Sequence, residues 1–171
     1  HIALRELEEM GKLSAVVTQN IDNLHQMAGS SPAKVIELHG TAFQVACLGC
    51  GKTYERDAIE ARLAAGETLP ACDACRGILK PATISFGQAM PQEAMEESFR
   101  LAEACDLCLV LGSSLVVYPA AAVPARAQES GARLLVINRD PTPLDELADL
   151  VIRESVGELL PRMVRAARGT S

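Results

Sequence analysis

Short apolar runs alternate with amphipathic segments along most of the chain. Apolar residues at three- and four-residue spacing predict a helix over 91–104, with Pro91 in its first turn. The runs LCLVLG at 107–112 and RLLVIN at 133–138 are apolar apart from their ends. Such runs are typical of parallel strands that are covered on both faces. This part of the chain therefore predicts a parallel sheet between helices.

The same pattern continues on both sides of this region. It predicts strands at 14–18, 106–111, 133–137 and 149–152, an extended segment at 79–86, and helices at 1–10, 22–28, 91–104, about 120–130, 143–148 and 156–167. Alternation of strand and helix is typical of an α/β fold with a parallel sheet. We expect the last four residues, 168–171, to be loose.

The first residues already have the pattern of an amphipathic helix, with Ile2, Leu4, Leu7 and Met10 roughly on one face. No Ser, Thr, Asp or Asn precedes them as a helix cap. We therefore expect that the chain starts inside a helix and that sequence is missing upstream of His1. The alternative is a genuine short N-terminus with a frayed helix.

Six cysteines fall in three C-x-x-C pairs: Cys47 and Cys50, Cys72 and Cys75, and Cys105 and Cys108. Two such pairs supply the four thiolates of a tetrahedral zinc site. A zinc-binding turn usually has a glycine soon after its second cysteine, and Gly51 and Gly77 follow the first two pairs. We therefore predict one structural zinc ion on the first two pairs, in a small inserted module at 43–78 that contains a helix-like stretch.

Two disulfides are the alternative for these four cysteines, and a reducing compartment disfavours them. The third pair is followed by buried-strand sequence rather than by a turn. We therefore expect Cys105 and Cys108 to behave as small core hydrophobes.

Composition excludes several classes of function. The chain has 171 residues, of which 49% are hydrophobic, enough for one sizeable core and a small satellite. A net charge of −6 and only 3% aromatic residues argue against binding to nucleic acid, which needs clustered basic and stacking side chains. No apolar run approaches the roughly 18 residues of a membrane span, so we expect no membrane partner.

Polar clusters follow three of the predicted strands. TQNID ends the strand at 14–18, GSSL ends the strand at 106–111, and NRD ends the strand at 133–137. In a parallel sheet the carboxyl ends lie along one edge, where ligands bind. GSS alone is more typical of a simple turn, but the three clusters together predict a nucleotide site. A G-x-G-x-x-G fingerprint is absent from the sequence.

The order of these motifs resembles the sirtuins, the NAD-dependent protein lysine deacylases. TQNIDNLHQMAG, ELHG, two C-x-x-C pairs, FG with MP, GSSLVVYPAA and VIN occur in that order, from Thr18 to about Pro161. The resemblance implies a Rossmann-type parallel sheet at 1–42 and 79–171, with the zinc-binding module at 43–78 as a small separate lobe. It also implies NAD as the cofactor and acyl-lysine proteins or peptides as the partners.

The resemblance further assigns the residues that contact NAD. The residues that it implies are Gln19, Asn20, Ile21, Asp22, Gly112, Ser113, Ser114, Asn138, Arg139 and Val156. The TQNID residues would line the pocket for nicotinamide and its ribose. The family motif Gly-Thr-Ser-Leu is Gly-Ser-Ser-Leu here, which keeps a hydroxyl at Ser113. Asn138 would hold the adenosine ribose, and the backbone near Val156 would lie beside the adenine.

The reaction that the resemblance implies releases nicotinamide and O-acyl-ADP-ribose from an acylated lysine, such as acetyl-lysine. The acyl oxygen attacks C1′ of the ribose, and His39 then acts as general base on a ribose hydroxyl. Imidazole is suited to this step because it accepts a proton at neutral pH. Asn20 and Asp22 belong to the same catalytic group. A cytoplasmic location is expected.

Substrate contacts are also implied by the resemblance. The acyl-lysine peptide would lie as an extra strand between Ile84, Phe86 and Gly87 on one side and Val117 on the other. Many sirtuins have Glu at the position of Gln88, so the charge preference for peptides is open.

Alternatives remain for the role of Asp22, for the role of His25 and for the function of the protein. Asp22 could cap the helix that follows it as well as line the pocket, and His25 is more typical of a structural histidine than of a catalyst. Mono-ADP-ribosyl transfer, or a non-catalytic zinc- and nucleotide-binding module, are alternative functions.

The family's Gly-Ala-Gly-Ser-like NAD loop does not occur in the sequence. We therefore expect a sheet that is incomplete on its N-terminal side, and a chain that by itself binds NAD weakly without turnover.

Overall fold

The structure is a computed structural model that describes residues 1–169. The helices are α1 (Ile2–Glu9), α2 (Leu24–Met27), α3 (Arg56–Ala64), α4 (Gln92–Ala104), α5 (Ala122–Glu129) and α6 (Val156–Arg168). The strands are β1 (Val16–Thr18), β2 (Val35–Glu37), β3 (Gly40–Cys47), β4 (Thr53–Glu55), β5 (Leu79–Thr83), β6 (Leu107–Leu111), β7 (Arg133–Ile137) and β8 (Leu150–Ile152). Two short 3₁₀ turns lie at Pro32–Lys34 and Asp145–Leu147.

Two parallel sheets build the larger part of the fold. β7 lies between β6 and β8, and its residues Leu134, Val136 and Ile137 are completely buried. β1 pairs in parallel with β2, in the register Val16 to Val35. The α/β class with parallel pairing is confirmed. Within residues 1–169 the parallel strands form two separate ladders, because β1 pairs with β2 and not with β6.

Helices cover the two parallel sheets on both faces and hold them side by side. Val16 of β1 and Leu111 of β6 both pack against the cluster that α1 and α6 form. On the opposite face, Val17 of β1 and Cys108 of β6 pack against the core cluster beneath α4 and α5. The carboxyl ends of β1 and β6 therefore come close together although no ladder joins the strands.

The cysteine-bearing part forms an antiparallel sheet in the order β4-β3-β5, with α3 packed against β3. β3 begins at Gly40 and β5 ends at Thr83, so this sheet extends past both ends of the module predicted at 43–78. Gly40 pairs with Thr83, which ties the end of the antiparallel sheet to the segment that leaves β2.

Most predicted elements are confirmed with ends shifted by one or two residues, and some details are wrong. Pro91 precedes α4 instead of lying in its first turn. The predicted helix at 143–148 is only the 3₁₀ turn Asp145–Leu147. On α1, Ile2 is 64% exposed while Ala3 is buried. Arg168 belongs to α6, and the rest of the expected loose tail lies mostly outside the described residues, at 170–171.

Every helix within residues 1–169 is too short or too polar to span a membrane.

Candidate functional site

A cavity of about 930 Å³ lies beside the carboxyl end of β1, between that end and two loops. Its lining is Gln19, Asn20, Ile21, Asp22, His39, Thr83, Ile84, Ser85, Phe86, Gly87, Gln88, Ala89, Met90, Val117, Tyr118 and Pro119. Sites for small ligands typically have volumes of about 300–1,000 Å³. The cavity is therefore large enough for a ligand and part of a second one.

The loop after β1 is held by local hydrogen bonds. The backbone N–H of Asn20 donates to the Thr18 hydroxyl over 3.1 Å, and the N–H of Leu24 donates to the Asp22 carboxylate over 3.1 Å. Asn23 adopts the left-handed conformation, with φ of 58°, and lets the chain turn into α2. Asp22 thus bonds to the start of the helix and also lines the cavity, so both of its predicted roles are compatible with the geometry.

His39 lies in the cavity wall between the loop after β1 and the segment after β5. Its Nδ1 is 2.9 Å from the carbonyl oxygen of Gln19. The backbone on either side is fixed, because Leu38 N–H donates to the Thr18 carbonyl and Ile84 N–H donates to the His39 carbonyl, both over 2.9 Å. A carbonyl oxygen can only accept, so Nδ1 carries the hydrogen and Nε2 has the free lone pair. The ring is therefore oriented as a proton acceptor.

Apolar side chains stand at the rim of the cavity without a partner within residues 1–169 that buries them. Phe86 is fully exposed at 101%, and Tyr118 is 68% exposed. The loop that carries Phe86 is held by Gln88, whose side-chain oxygen accepts from the Ser85 N–H over 2.8 Å and from the Lys80 ammonium over 3.1 Å. A fixed loop with an exposed ring is suited to hold an apolar part of a ligand.

A second group of predicted residues lies outside the cavity lining, at the ends of β6, β7 and β8. Gly112 follows β6 with φ of +63°, and a Cβ on it would be 3.7 Å from the Val156 side chain. The side-chain amide of Asn138 donates to the Asp140 carbonyl over 2.8 Å. Ser113 connects this group to the cavity, because its hydroxyl is 3.5 Å from the side-chain amide of Gln19.

The predicted site residues thus divide between two neighbouring places. The cavity contains Gln19, Asn20, Ile21, Asp22, His39, Ile84, Phe86, Gly87 and Val117. Absent from its lining are Gly112, Ser113, Ser114, Asn138, Arg139 and Val156. Six further residues line the cavity without a role predicted from the sequence: Thr83, Ser85, Ala89, Met90, Tyr118 and Pro119. The only signal for them is that Met90, Tyr118 and Pro119 belong to the MP and VVYP motifs and that the other three lie near the FG motif.

The four cysteines predicted as zinc ligands come together. Their Sγ atoms all lie within 4.8 Å of one another, and the Sγ atoms of Cys47 and Cys75 are 3.4 Å apart. A tetrahedral zinc with bonds of about 2.3 Å holds its sulfurs about 3.8 Å apart. Backbone N–H groups of Gly49 and Gly77 point at Cys47 and Cys75 sulfurs. The sulfur geometry fits one tetrahedral zinc ion.

Two residues beside the second cysteine pair affect its sulfurs: Gly77, which leaves room for them, and Tyr54, which contacts Cys72. A Cβ on Gly77 would lie 2.8 Å from the Cys47 sulfur, closer than real contacts allow. The hydrogen bond with the Tyr54 hydroxyl is the main cause that lowers the pKa of the Cys72 thiol to about 6. The thiolate is the form that binds zinc.

The third cysteine pair lies apart from this cluster, and both residues pack, half-buried, against the α4–α5 core. Burial raises the pKa of the Cys108 thiol to about 11, which keeps it protonated at neutral pH. His25 is buried and lies outside the cavity lining.

The sequence is also similar to those of known proteins. The sequence model described as Sir2 family matches residues 1–119. The chain is 50% identical over 160 residues to an NAD-dependent protein deacetylase of Rhodopseudomonas palustris, and the match covers 94% of this chain and 63% of that relative. It is 42% identical over 172 residues to an NAD-dependent protein deacylase of Pyrococcus furiosus, with coverage of 100% and 68%.

Solved structures are similar over the whole chain. A complex of Sir2 with a p53 peptide and NAD⁺ has a TM-score of 0.89 at 42% identity, covering 100% of this chain and 70% of that one. Sir2 bound to an acetylated peptide has a TM-score of 0.90 at the same 42% identity, again with coverage of 100% and 70%. The chain spans 63% of the length of the Rhodopseudomonas palustris relative.

Proposed function

The chain belongs to the Sir2 family, and we propose that the protein removes acyl groups such as acetyl from protein lysines in an NAD-dependent reaction. The observation that carries the proposal is the His39 imidazole, fixed by the Gln19 carbonyl at 2.9 Å in the wall of the cavity. The relatives named as deacetylase and deacylase support the same reaction.

His39 is the general base of this proposal. Its free Nε2 would take a proton from a hydroxyl of the ribose after nicotinamide has left, which would prepare that oxygen to receive the acyl group. Bound NAD supplies the electrophilic ribose carbon and the ADP-ribose that accepts the acyl group, so the reaction is a transfer. Gln19, Asn20 and Asp22 surround the nicotinamide end, where the Asn20 amide and the Asp22 carboxylate lie 3.4 Å apart.

The adenosine end is assigned to the second group of residues. Gly112 leaves room for the close approach of a ligand, and Ser113 and Ser114 offer hydroxyls. Asn138 and Arg139 follow β7 and address the ribose, and Val156 begins α6 beside Gly112. The 3.5 Å contact between Gln19 and Ser113 makes the two ends continuous.

The peptide is assigned to the rim of the cavity. It would lie as an added strand between the loop of Ile84, Phe86 and Gly87 and the loop of Val117, using backbone hydrogen bonds for affinity and side-chain contacts for specificity. The exposed ring of Phe86 and the exposed Tyr118 supply apolar area on the two sides.

Zinc is proposed to be structural. Cys47, Cys50, Cys72 and Cys75 fill four positions of a tetrahedral ion, so none is left for a substrate. Their place in the antiparallel β4-β3-β5 sheet, which reaches from Gly40 to Thr83, supports a separate module around 43–78, beside a Rossmann-type part within 1–42 and 79–171. Four cysteines that bind zinc instead of forming disulfides fit a reducing compartment, and we place the protein in the cytoplasm with acyl-lysine proteins as partners.

An assay that identifies products tests this proposal. The full-length protein is incubated with an acetyl-lysine peptide and NAD, and mass spectrometry follows nicotinamide, free lysine peptide and O-acetyl-ADP-ribose. Equal amounts of the three products are expected, and all three should depend on NAD. The matched variant is His39→Ala, which should slow the multiple-turnover formation of all three products by about 10²–10⁴-fold, the usual contribution of a general base.

The alternatives give different products. ADP-ribose attached covalently to protein, with the acetyl group still on the peptide, would replace the proposal by mono-ADP-ribosyl transfer. Absence of any product, although NAD binds, would favour a non-catalytic binding module and overturn the proposal.

A further inference from the structure

Side chains outside the four cysteines connect the two turns of the zinc site. Tyr54 lies on β4 and pairs with Val45 of β3, directly after the first cysteine turn. Its hydroxyl oxygen is 3.2 Å from the sulfur of Cys72, which is completely buried in the second turn. A side chain from the first turn's strand therefore contacts a predicted metal ligand on the other turn.

Asp73 closes this contact on the side of the second turn. The Asp73 carboxylate is a second acceptor for the single hydrogen of the Tyr54 hydroxyl, beside the Cys72 sulfur. In return, the backbone N–H of Asp73 donates to the same hydroxyl oxygen over 3.2 Å. The Tyr54 hydroxyl oxygen thus contacts the Cys72 sulfur, the Asp73 carboxylate and the Asp73 backbone N–H. These contacts fix the position of the Cys72 sulfur relative to β4.

Lys52 completes the group from the first turn. Its ammonium lies 2.7 and 3.0 Å from the two carboxylate oxygens of Asp73 and 5.2 Å from the centre of the Tyr54 ring. Four thiolates around one zinc ion leave an excess of negative charge at the centre. A lysine beside the second turn offsets part of that charge, and it ties the turns together a second time.

We propose that Lys52, Tyr54 and Asp73 form an outer brace that holds the two cysteine turns around the zinc ion and slows its loss. Partners of metal ligands orient the ligands and tune their affinity for the metal. The brace acts through Cys72, because that sulfur is the ligand that Tyr54 contacts. It is independent of the deacylation chemistry at His39.

The three members should not contribute equally. The side chains of Lys52 and Asp73 are 45% and 59% exposed, and exposed ion pairs stabilise proteins little. Water competes less for the contact between the Tyr54 hydroxyl and the Cys72 sulfur, because Cys72 is completely buried. Tyr54→Phe, which removes only the hydroxyl, is therefore the decisive variant, and Lys52→Met should have a smaller effect that salt reduces.

The experiment measures zinc release from the purified zinc-loaded protein into a colorimetric chelator. Wild type, Tyr54→Phe, Asp73→Asn and Lys52→Met are compared at a temperature well below unfolding, with circular dichroism to verify the fold. Glu60→Gln is the matched control, because it breaks another exposed ion pair of the same module, 2.6 Å from Arg56, without touching a sulfur.

We expect Tyr54→Phe to release zinc about 10-fold faster or more, the lower end of the usual effect of such partners. Glu60→Gln should match wild type. Cobalt substitution adds a readout that a general loss of stability does not move, since the Co²⁺–thiolate absorption of Tyr54→Phe should change while its helix content stays the same. If Tyr54→Phe does not fold, Asp73→Asn takes its place, because it removes the carboxylate that orients the hydroxyl.

Two failures are distinguishable. Wild-type protein that holds no zinc would overturn the zinc assignment and the brace together. Zinc-loaded protein in which Tyr54→Phe and Asp73→Asn release the ion at the wild-type rate would overturn the brace alone.

Discussion

The imidazole of His39 and the carbonyl oxygen of Gln19 form a hydrogen bond of 2.9 Å that selects the tautomer of the neutral ring with the hydrogen on Nδ1. Gln19 belongs to the loop after β1, and His39 follows β2. Because β1 and β2 pair in parallel, their carboxyl ends lie side by side and bring these two residues together. A parallel ladder of only three residue pairs therefore orients the proposed general base.

His39→Ala should lower turnover of an acetyl-lysine peptide by about 10²–10⁴-fold, the usual contribution of a general base. NAD affinity should stay within a few-fold, because a general base acts mainly in the transition state. Steady-state kinetics and calorimetry with NAD on the full-length protein measure the two effects. His25→Gln is the control, since His25 lies outside the cavity lining. A His39→Ala protein with near wild-type turnover would refute the assignment.

Gly40→Ala should destabilise the protein by more than about 2 kcal/mol. Gly40 has φ of +71°, and a Cβ there would lie 2.0 Å from the backbone oxygen of Ala82. A strained backbone conformation costs about 1–3 kcal/mol, and the clash with backbone adds to it because β3 and β5 would have to separate. Urea unfolding measures the free energy of unfolding.

Gly131→Ala is the matched control for Gly40→Ala. Gly131 has φ of +97° but no atom within 4 Å of an added Cβ, so it reports the conformational strain without the clash. An equal loss of stability in the two variants would show that the clash of the added Cβ with the Ala82 backbone oxygen does not contribute to the destabilisation.

How much of this site the sequence predicts depends on how local each feature is. TQNID, His39 and the cysteine pairs are predicted because each is a short motif with its own chemistry. β2 is not predicted, because its three residues, Val35–Glu37, are too few to show an alternation of apolar and polar positions. Its partner strand β1 also lies far from it in the sequence. Tyr118 and Met90 are missed for a related reason, because only the folded loops bring them to the cavity.

Phe86→Ala should weaken binding of acyl peptides about 10-fold or more while leaving stability unchanged. The ring is fully exposed, so folding gains nothing from it, whereas burial of a phenylalanine by a ligand contributes about 1.5–3 kcal/mol. Calorimetric titration with an acetyl-lysine peptide measures the affinity. Leu69→Ala is the control, because Leu69 is 85% exposed and lies outside the cavity lining. Equal peptide affinity of the Phe86→Ala protein and wild type would contradict the proposed peptide position.

Gly77→Ala should reduce zinc content and affinity. The added Cβ would lie 2.8 Å from the Cys47 sulfur and 3.1 Å from the Cys75 sulfur, so the cluster would have to expand. Metal analysis and competition with a chelator measure the effect. Gly49→Ala is the control, because its Cβ would lie at 3.4 Å from the Cys75 sulfur, close to an ordinary contact. Full zinc occupancy with wild-type affinity in Gly77→Ala would mean that the sulfurs are arranged differently.

His25 should make stability depend on pH below neutrality. Burial, the largest cause, lowers the pKa of His25 from its usual 6.5, while the charge of Asp22 opposes it. In the unfolded chain the imidazole keeps a pKa of about 6.5. Below that pH the unfolded chain therefore binds more protons than the folded one, so the contribution to stability that is complete above about pH 6.5 is lost as the pH falls towards the lower folded pKa.

Urea unfolding at pH 7.5, 6.5 and 5.5 should therefore show a steeper loss of free energy of unfolding for wild type than for His25→Gln, which has no imidazole at this position. The difference between the two proteins removes the contribution of the other titrating groups. Because burial is the main cause, the difference should persist at about 1 M salt, where charge interactions are screened within about 3 Å. If the difference disappears in salt, the lowered pKa of His25 is caused by charge interactions instead of burial. If the free energy of unfolding of the two proteins depends equally on pH at low salt, His25 has the same pKa in the folded and unfolded chains.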